Sequence, residues 1–338
     1  MQPIKLDVTI MPSGDPRHDV RQIKRAEQLG FDAVWIAETA HNPFFPLTLA
    51  VKETKRITLG SQDAVAFPRS PMVTAQIAWD LARQSDGRFI LGLGAQDQAH
   101  IERRFGEDWR DPVGRMREYV ESLRAIWDSF QTDARLRYRG EHYQFRLMAP
   151  FFNPGPNSHP VLPVYLAGVN PRICQLAGEV CQGLHTQALH TPSYLREVVM
   201  PAVEAGLSAA DRKRNEIVVA APVFVISGET GGERRRAATA LRERLAFYAS
   251  APAYRRFMSA HGWGTLADEL HDMAREKRWA DMKDAITDDM LEEFAIFAEP
   301  GDVYASIVER YGGIADRVCL DWNADNPHLF EAIADSRV

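Results

Sequence analysis

The chain of 338 residues is long enough for two domains or for one large barrel, and 45% hydrophobic with 25% charged residues is the make-up of a protein that buries a full core. Forty basic residues against 46 acidic ones give a net charge of -6, which excludes a whole-surface positive field for gathering nucleic acid or anionic membrane. The longest apolar stretch, 217–226, is interrupted by Pro222 and falls well short of the roughly 20 residues of a membrane-spanning helix. In chain order, residues 4–10 read as a first strand. Residues 19–29 follow as a helix with Val20, Ile23, Ala26 and Leu29 on one face, stopped by Gly30. Residues 32–37 form strand two, 47–55 a short helix and 57–67 strand three. Ser70 caps, and Pro71 opens, a helix to about Gln84, then Asp86-Gly87 turns into strand four over 88–94.

The next helix, about 113–130, places Met116, Tyr119, Val120, Leu123, Ile126 and Trp127 on one side. A small hairpin, 136–138 with 143–145, and a loop rich in Pro and Asn precede strand five at 161–166. Strand six is 183–187, strand seven 217–226 and strand eight 317–321. Eight strands, each with a following helix, predict a (β/α)8 barrel in a single domain over 1–338, with a doubly wound open sheet as the alternative. Two segments exceed the repeat: 132–160 before strand five, and a set of short helices over 250–300 between strands seven and eight. Insertions after strand C-termini wall the site of a barrel, so 250–300 is the expected lid. Its aromatics Tyr254, Phe257, Trp263 and Trp279 read either as apolar pocket walls, with Phe44 and Phe45, or as the insertion's own small core.

Chemistry is sought at the strand C-termini. No metal site is expected: the histidines are scattered, and His185 and His190 lack acidic partners at ligand spacing. Cys174 and Cys181 read as buried packing, and three cysteines with no secretory leader place the protein in the cytoplasm. Nucleophile elbows and phosphate-loop motifs are absent, and the arginine runs 212–214 and 234–236 read as solvated helix faces. His41, just past strand two, is either a proton donor or acceptor or a surface histidine bonded to backbone. Glu38 is either its partner or a structural carboxylate satisfied by backbone. At the end of strand five, Gly168 allows close backbone approach, while Asn170 as cap and Pro171 at the first helical position turn free N–H groups outward, a generic anion site.

The runs GFDAVWIAETAHNPF, KRITLGSQDAVAFPRSP, QSDGRFILGLGAQ and PVYLAGVNPRICQLAGEVCQG together resemble the bacterial luciferase-like superfamily of flavin- and deazaflavin-dependent oxidoreductases. AVAFPRSP and GLGAQ followed by IERRFG resemble its actinobacterial subgroup assigned to coenzyme F420. The resemblance implies hydride transfer between F420 and a small organic substrate. It assigns His41 to proton or hydride traffic near the reactive ring carbon. The superfamily's strand-three bulge, often held by a non-proline cis peptide behind the cofactor, falls on Gln62-Asp63. Gly94, Ala95 and Gln96 would line the pocket from strand four, and Gly168, Val169 and Asn170 would hold the phosphate. Asp97 lies near a glutamate that some deazaflavin dehydrogenases use, and reads either as its counterpart or as a helix-start acid. Gln62-Asp63 departs from the small or apolar pair usual at the bulge, and an acid there repels an electron-rich ring unless it points away. The resemblance also implies a homodimer. The alternatives are an FMN-dependent monooxygenase fed reduced flavin by a separate reductase, and a non-catalytic flavin-binding barrel.

Overall fold

The computed structural model describes residues 3–323 and 326–337. Eight parallel strands are hydrogen-bonded in the order 3-2-1-8-7-6-5-4, and strand three also pairs with strand four, closing a (β/α)8 barrel. The strands are Lys5–Ile10, Ala33–Ile36, Thr58–Ser61, Phe89–Gly94, Val164–Ala167, Gly183–His185, Val218–Pro222 and Arg317–Asp321. Helix ends follow local chemistry. Asp15 caps Pro16–Gln28 by accepting from Arg17 N, and Gly30 takes φ +82° beyond its end. Ser70 caps Pro71–Gln84 by accepting from Met72 N. The helix Pro112–Thr132 buries Met116, Tyr119, Val120, Leu123, Ile126 and Trp127, the face its periodicity predicts.

Contacts divide the chain into two compact units. One comprises 7–185 and 202–218. Within it the interior of the barrel is filled by alternating large and absent side chains, as close packing requires. Trp35 and Tyr165 lie with ring centroids 5.5 Å apart. Gly60 and Gly183 make the room: a Cβ on the first would sit 2.3 Å from Trp35, and on the second 2.3 Å from Tyr165. The hairpin Tyr138–Arg139 with Gln144–Phe145 belongs to this unit.

The other unit comprises 1–6, 186–201 and 219–338. Strand seven does not run through 217–226 as expected. It stops at Pro222, which has no N–H for a ladder, and Phe224–Ile226 instead pairs in parallel with Ala295–Phe297, a strand inside the 250–300 segment that was read as helical. The aromatics of that segment divide between a small core and the surface. Phe257 is buried against Tyr194 at 5.0 Å and Phe294 at 5.8 Å, and Trp263 stacks on His261 at 4.8 Å. Trp279, by contrast, is 49% exposed.

Buried His190 in this unit donates Nδ1–H to the Gln187 carbonyl at 2.7 Å, and burial pushes its pKa down to about 4. The folded state therefore keeps it neutral while the unfolded chain protonates near 6.5. Stability contributed by the neutral ring is present above about pH 6.5 and is lost as pH falls toward 4. Urea unfolding across that window should show a drop that His190→Phe flattens; equal slopes in both proteins would remove His190 as the cause.

Two other expectations need correcting. The arginines at 212–214 do not lie on a helix face: the helix Met200–Ala209 has ended, and Arg212 donates to the Gly178 and Glu216 carbonyls. Strand three breaks after Ser61 and resumes as Ala64–Val65, and the peptide between Gln62 and Asp63 is cis, as the resemblance implies.

Candidate functional site

The loop after strand two carries His41 and is tied down along its length. Ala37 N bonds Ile10 O at 3.1 Å, the Arg104 guanidinium donates to Thr39 O at 2.7 Å, and Phe44 N donates to Asn42 Oδ1 at 3.0 Å, starting the helix at Phe44 rather than at Leu47. The imidazole is exposed and lies against Gly14, where an added Cβ would sit 2.9 Å from both Cε1 and Nε2. Gly14 also has φ +87°, so its lack of a side chain serves both the turn and the ring. His41 is thus a titratable group held on a tethered loop at a strand C-terminus.

Glu38 takes the structural role. Its Oε1 accepts from Arg69 Nη2 at 2.7 Å, and its Oε2 accepts from Arg69 Nη1 at 2.8 Å and from Val65 N at 2.7 Å. Arg69 Nη1 also donates to Val65 O at 2.7 Å, and the guanidinium lies 5.6 Å from the centre of the Phe44 ring. This clamp fixes the chain just beyond the bulge to the strand-two loop. Arg69 sits in the AVAFPRSP run but was not singled out, because nothing local marks which carboxylate it meets.

At the bulge both side chains turn into the barrel. Gln62 Oε1 accepts from Thr9 Oγ1, and the Asp63 carboxylate bonds the buried His185 imidazole. Gln62 N donates to Ile36 O at 2.8 Å, and Ser61 Oγ bridges both N–H and C=O of Gly92 at 3.0 and 2.8 Å, which locks strand three onto strand four. What Gln62 and Asp63 offer a ligand is therefore backbone. Gly94 is buried beside them: a Cβ there would reach Asp63 Cβ at 3.3 Å and Ala167 Cβ at 3.6 Å, so the backbone is packed closely against both residues. Ala95 is half-buried and Gln96 is exposed with φ +63°. Asp97 caps the short helix Gln98–Arg103, accepting from His100 N at 2.9 Å. Burial pushes its carboxyl up, but the bonds from His100 outweigh this and hold it below the ordinary range.

At the end of strand five the structure changes the reasons given for two residues. Gly168 is needed by its own helix, since a Cβ would overlap Ile173 Cγ2 at 2.2 Å. Val169 is buried. Asn170 occupies the cap position with no side-chain cap bond, and with Pro171 following it stands half-exposed at the start of Pro171–Val180. That leaves an amide side chain and a helix N-terminus free for an anion. Cys174 and Cys181 are buried, and burial pushes both thiols up to about 12, consistent with packing. Among the described residues no group of three His, Cys, Asp or Glu side chains could hold a metal ion, and no helix is long and apolar enough to cross a membrane.

A cofactor of the flavin type needs a slot walled by backbone and small residues for a flat ring, and donors for its phosphate. The cis bulge at Gln62-Asp63 and the side-chain-free Gly94 contribute backbone toward the first need, and the uncapped Asn170 suits the second. The family model described as luciferase-like monooxygenase matches residues 1–317. An uncharacterized protein of Mycobacterium tuberculosis is 42% identical over 292 residues, 86% of either chain. The 5,10-methylenetetrahydromethanopterin reductase of Archaeoglobus fulgidus is 30% identical over 293 residues, 85% of this chain and 84% of the reductase. The solved coenzyme F420-dependent tetrahydromethanopterin reductase of Methanopyrus kandleri superposes with a TM-score of 0.82 at 23% identity, over 99% of this chain and 98% of that one, a likeness of fold.

Proposed function

This chain belongs to the luciferase-like monooxygenase family, and on that premise we propose that it is an oxidoreductase that binds coenzyme F420 at the strand C-termini and moves a hydride between the deazaflavin and a small organic substrate. The observation that carries the reading is that a tethered His41, a cis bulge at Gln62-Asp63 and a side-chain-free Gly94 all lie at strand C-termini in one unit of the chain. A relative named as an F420-dependent glucose-6-phosphate dehydrogenase, 30% identical over 218 residues, supports the choice among redox cofactors.

F420, when bound, supplies the hydride donor or acceptor. The chain supplies the rest. Gln62 and Asp63 would present main chain to the ring, with the side-chain-free Gly94 beside them. Ala95 and Gln96 would line it from strand four, and Asn170 with the start of Pro171–Val180 would hold the phosphate end. His41 would hold or release a proton at an imidazole nitrogen. Glu38 and Arg69 keep the loop and the bulge in register, so Glu38 acts through position rather than by touching the substrate.

Equilibrium dialysis of the purified protein against F420 and against FMN tests the reading. Binding of F420 in preference to FMN is expected. Binding of FMN alone would replace it with a flavin monooxygenase served by a separate reductase.

A further inference from the structure

Asp63 is an acid at a place where a negative charge opposes a phosphorylated, electron-rich ligand. Its carboxylate, 14% exposed, lies with Oδ1 2.7 Å from Nδ1 of His185, which has no exposed surface. We propose that His185 is a positioning residue whose Nδ1–H holds the Asp63 carboxylate inside the barrel, so that the bulge meets the cofactor with main chain and without a negative side chain. This inference rests on the functional reading above.

Three features of the chain converge on that one carboxylate. Strand four contributes glycines: a Cβ on Gly92 would sit 2.9 Å from Asp63 Oδ1 as well as 2.0 Å from Ser61 O, and one on Gly94 would reach Asp63 Cβ at 3.3 Å. The inward space is therefore kept free. The His185 ring is fixed by the Trp35 edge at 4.4 Å and by Tyr165 at 5.1 Å, and Trp35 is anchored by its Nε1–H to Asp7 Oδ2 at 2.9 Å. The tautomer is fixed as well. Nε2 of His185 is buried without a hydrogen-bond partner, and a bare nitrogen costs less there than an unpaired N–H, so the proton stays on Nδ1 and is donated to Asp63.

Among the described residues, Tyr165 on strand five lies against the His185 ring and Asp7 on strand one is linked to it through Trp35. Strand one also offers Thr9, engaged with Gln62, and strand four places Gly92 and Gly94 against Asp63. Neither Asp7 nor Tyr165 can serve as a cation for Asp63. Burial pushes the Asp63 carboxyl up and His185 pulls it down, so removing the imidazole leaves only the upward influence.

The test compares F420 dissociation constants of wild type, His185→Leu, His185→Asn, Asp63→Asn and the Asp63→Asn/His185→Leu double variant between about pH 5 and 8.5. The cofactor's own ionisation is common to all five and cancels in the ratios. His185→Leu should bind about tenfold more weakly at the alkaline end and recover as Asp63 is protonated at the acid end. Asn offers an N–H where Nδ1 was, so His185→Asn should stay within about threefold of wild type. The double variant should regain the affinity lost by His185→Leu and lose its pH dependence. A purely structural role for His185 would not be rescued by removing a second group, so failure of that rescue, or wild-type affinity of His185→Leu at every pH, overturns the proposal. If wild type binds neither F420 nor FMN, the functional reading falls, and the proposal is decided on the apoprotein by the Asp63 carboxyl 13C resonance. It should titrate at higher pH in His185→Leu than in wild type, and coincident titrations refute it.

Discussion

Replacing His41 with alanine is expected to lower turnover about a hundredfold or more while leaving the F420 dissociation constant within about threefold, because a positioned acid or base contributes to the barrier and little to ground-state binding. The side chain is exposed and packs against Gly14, so its removal leaves no buried cavity and should not unfold the protein. Turnover is followed by the absorbance of the deazaflavin with a substrate drawn from a screened panel, and affinity by dialysis. Wild-type turnover in His41→Ala would place the proton elsewhere, and a large loss of affinity with unchanged turnover would make His41 a binding residue.

Glu38→Ala is expected to cost about 3 kcal/mol of stability, since it leaves the partly buried Arg69 guanidinium and the Val65 N–H without their acceptor. The side chains of Glu38 and Arg69 are only 9% and 15% exposed, so water replaces the lost bonds poorly. Cofactor affinity should fall with stability, because the clamp sits immediately after the bulge at Gln62-Asp63. Glu38→Gln keeps an acceptor for Val65 N and should lose less on both counts. Urea unfolding midpoints and F420 dialysis on the same preparations check this, and an alanine variant as stable as wild type would show that the clamp contributes nothing.

These two residues illustrate what could be read from the chain. Both occur in one run, AETAHNPF, and both are marked by lying just past a strand end. Their environments are not marked. Glu38 meets a guanidinium 31 residues away, and His41 leans on a glycine 27 positions earlier in the chain. Gly168 makes the same point: the missing side chain is visible in the sequence, but what needs the room is the Ile173 side chain of the adjoining helix. Trp35, Asp7 and Gly14 carry no mark of their roles in the sequence, because a buried aromatic, a buried acid and a turn glycine are common in strands and loops whatever they do.

What the sequence determined by itself was decided within one turn or one strand: the alternation of eight strands with helices, the capped start at Ser70, the apolar face of Pro112–Thr132, and the small-residue run at the end of strand four. Periodicity and capping depend on neighbours a few residues apart, so they are legible in one dimension. Tertiary structure decided where strands three and seven break, which strand Phe224–Ile226 joins, and how the acid at the bulge is accommodated. The last case gives the reason most plainly. Asp63 and His185 are separated by 122 residues and are brought to hydrogen-bond distance by closure of the barrel, so a charge that looks misplaced in the sequence acquires its partner only when the strands are set in order.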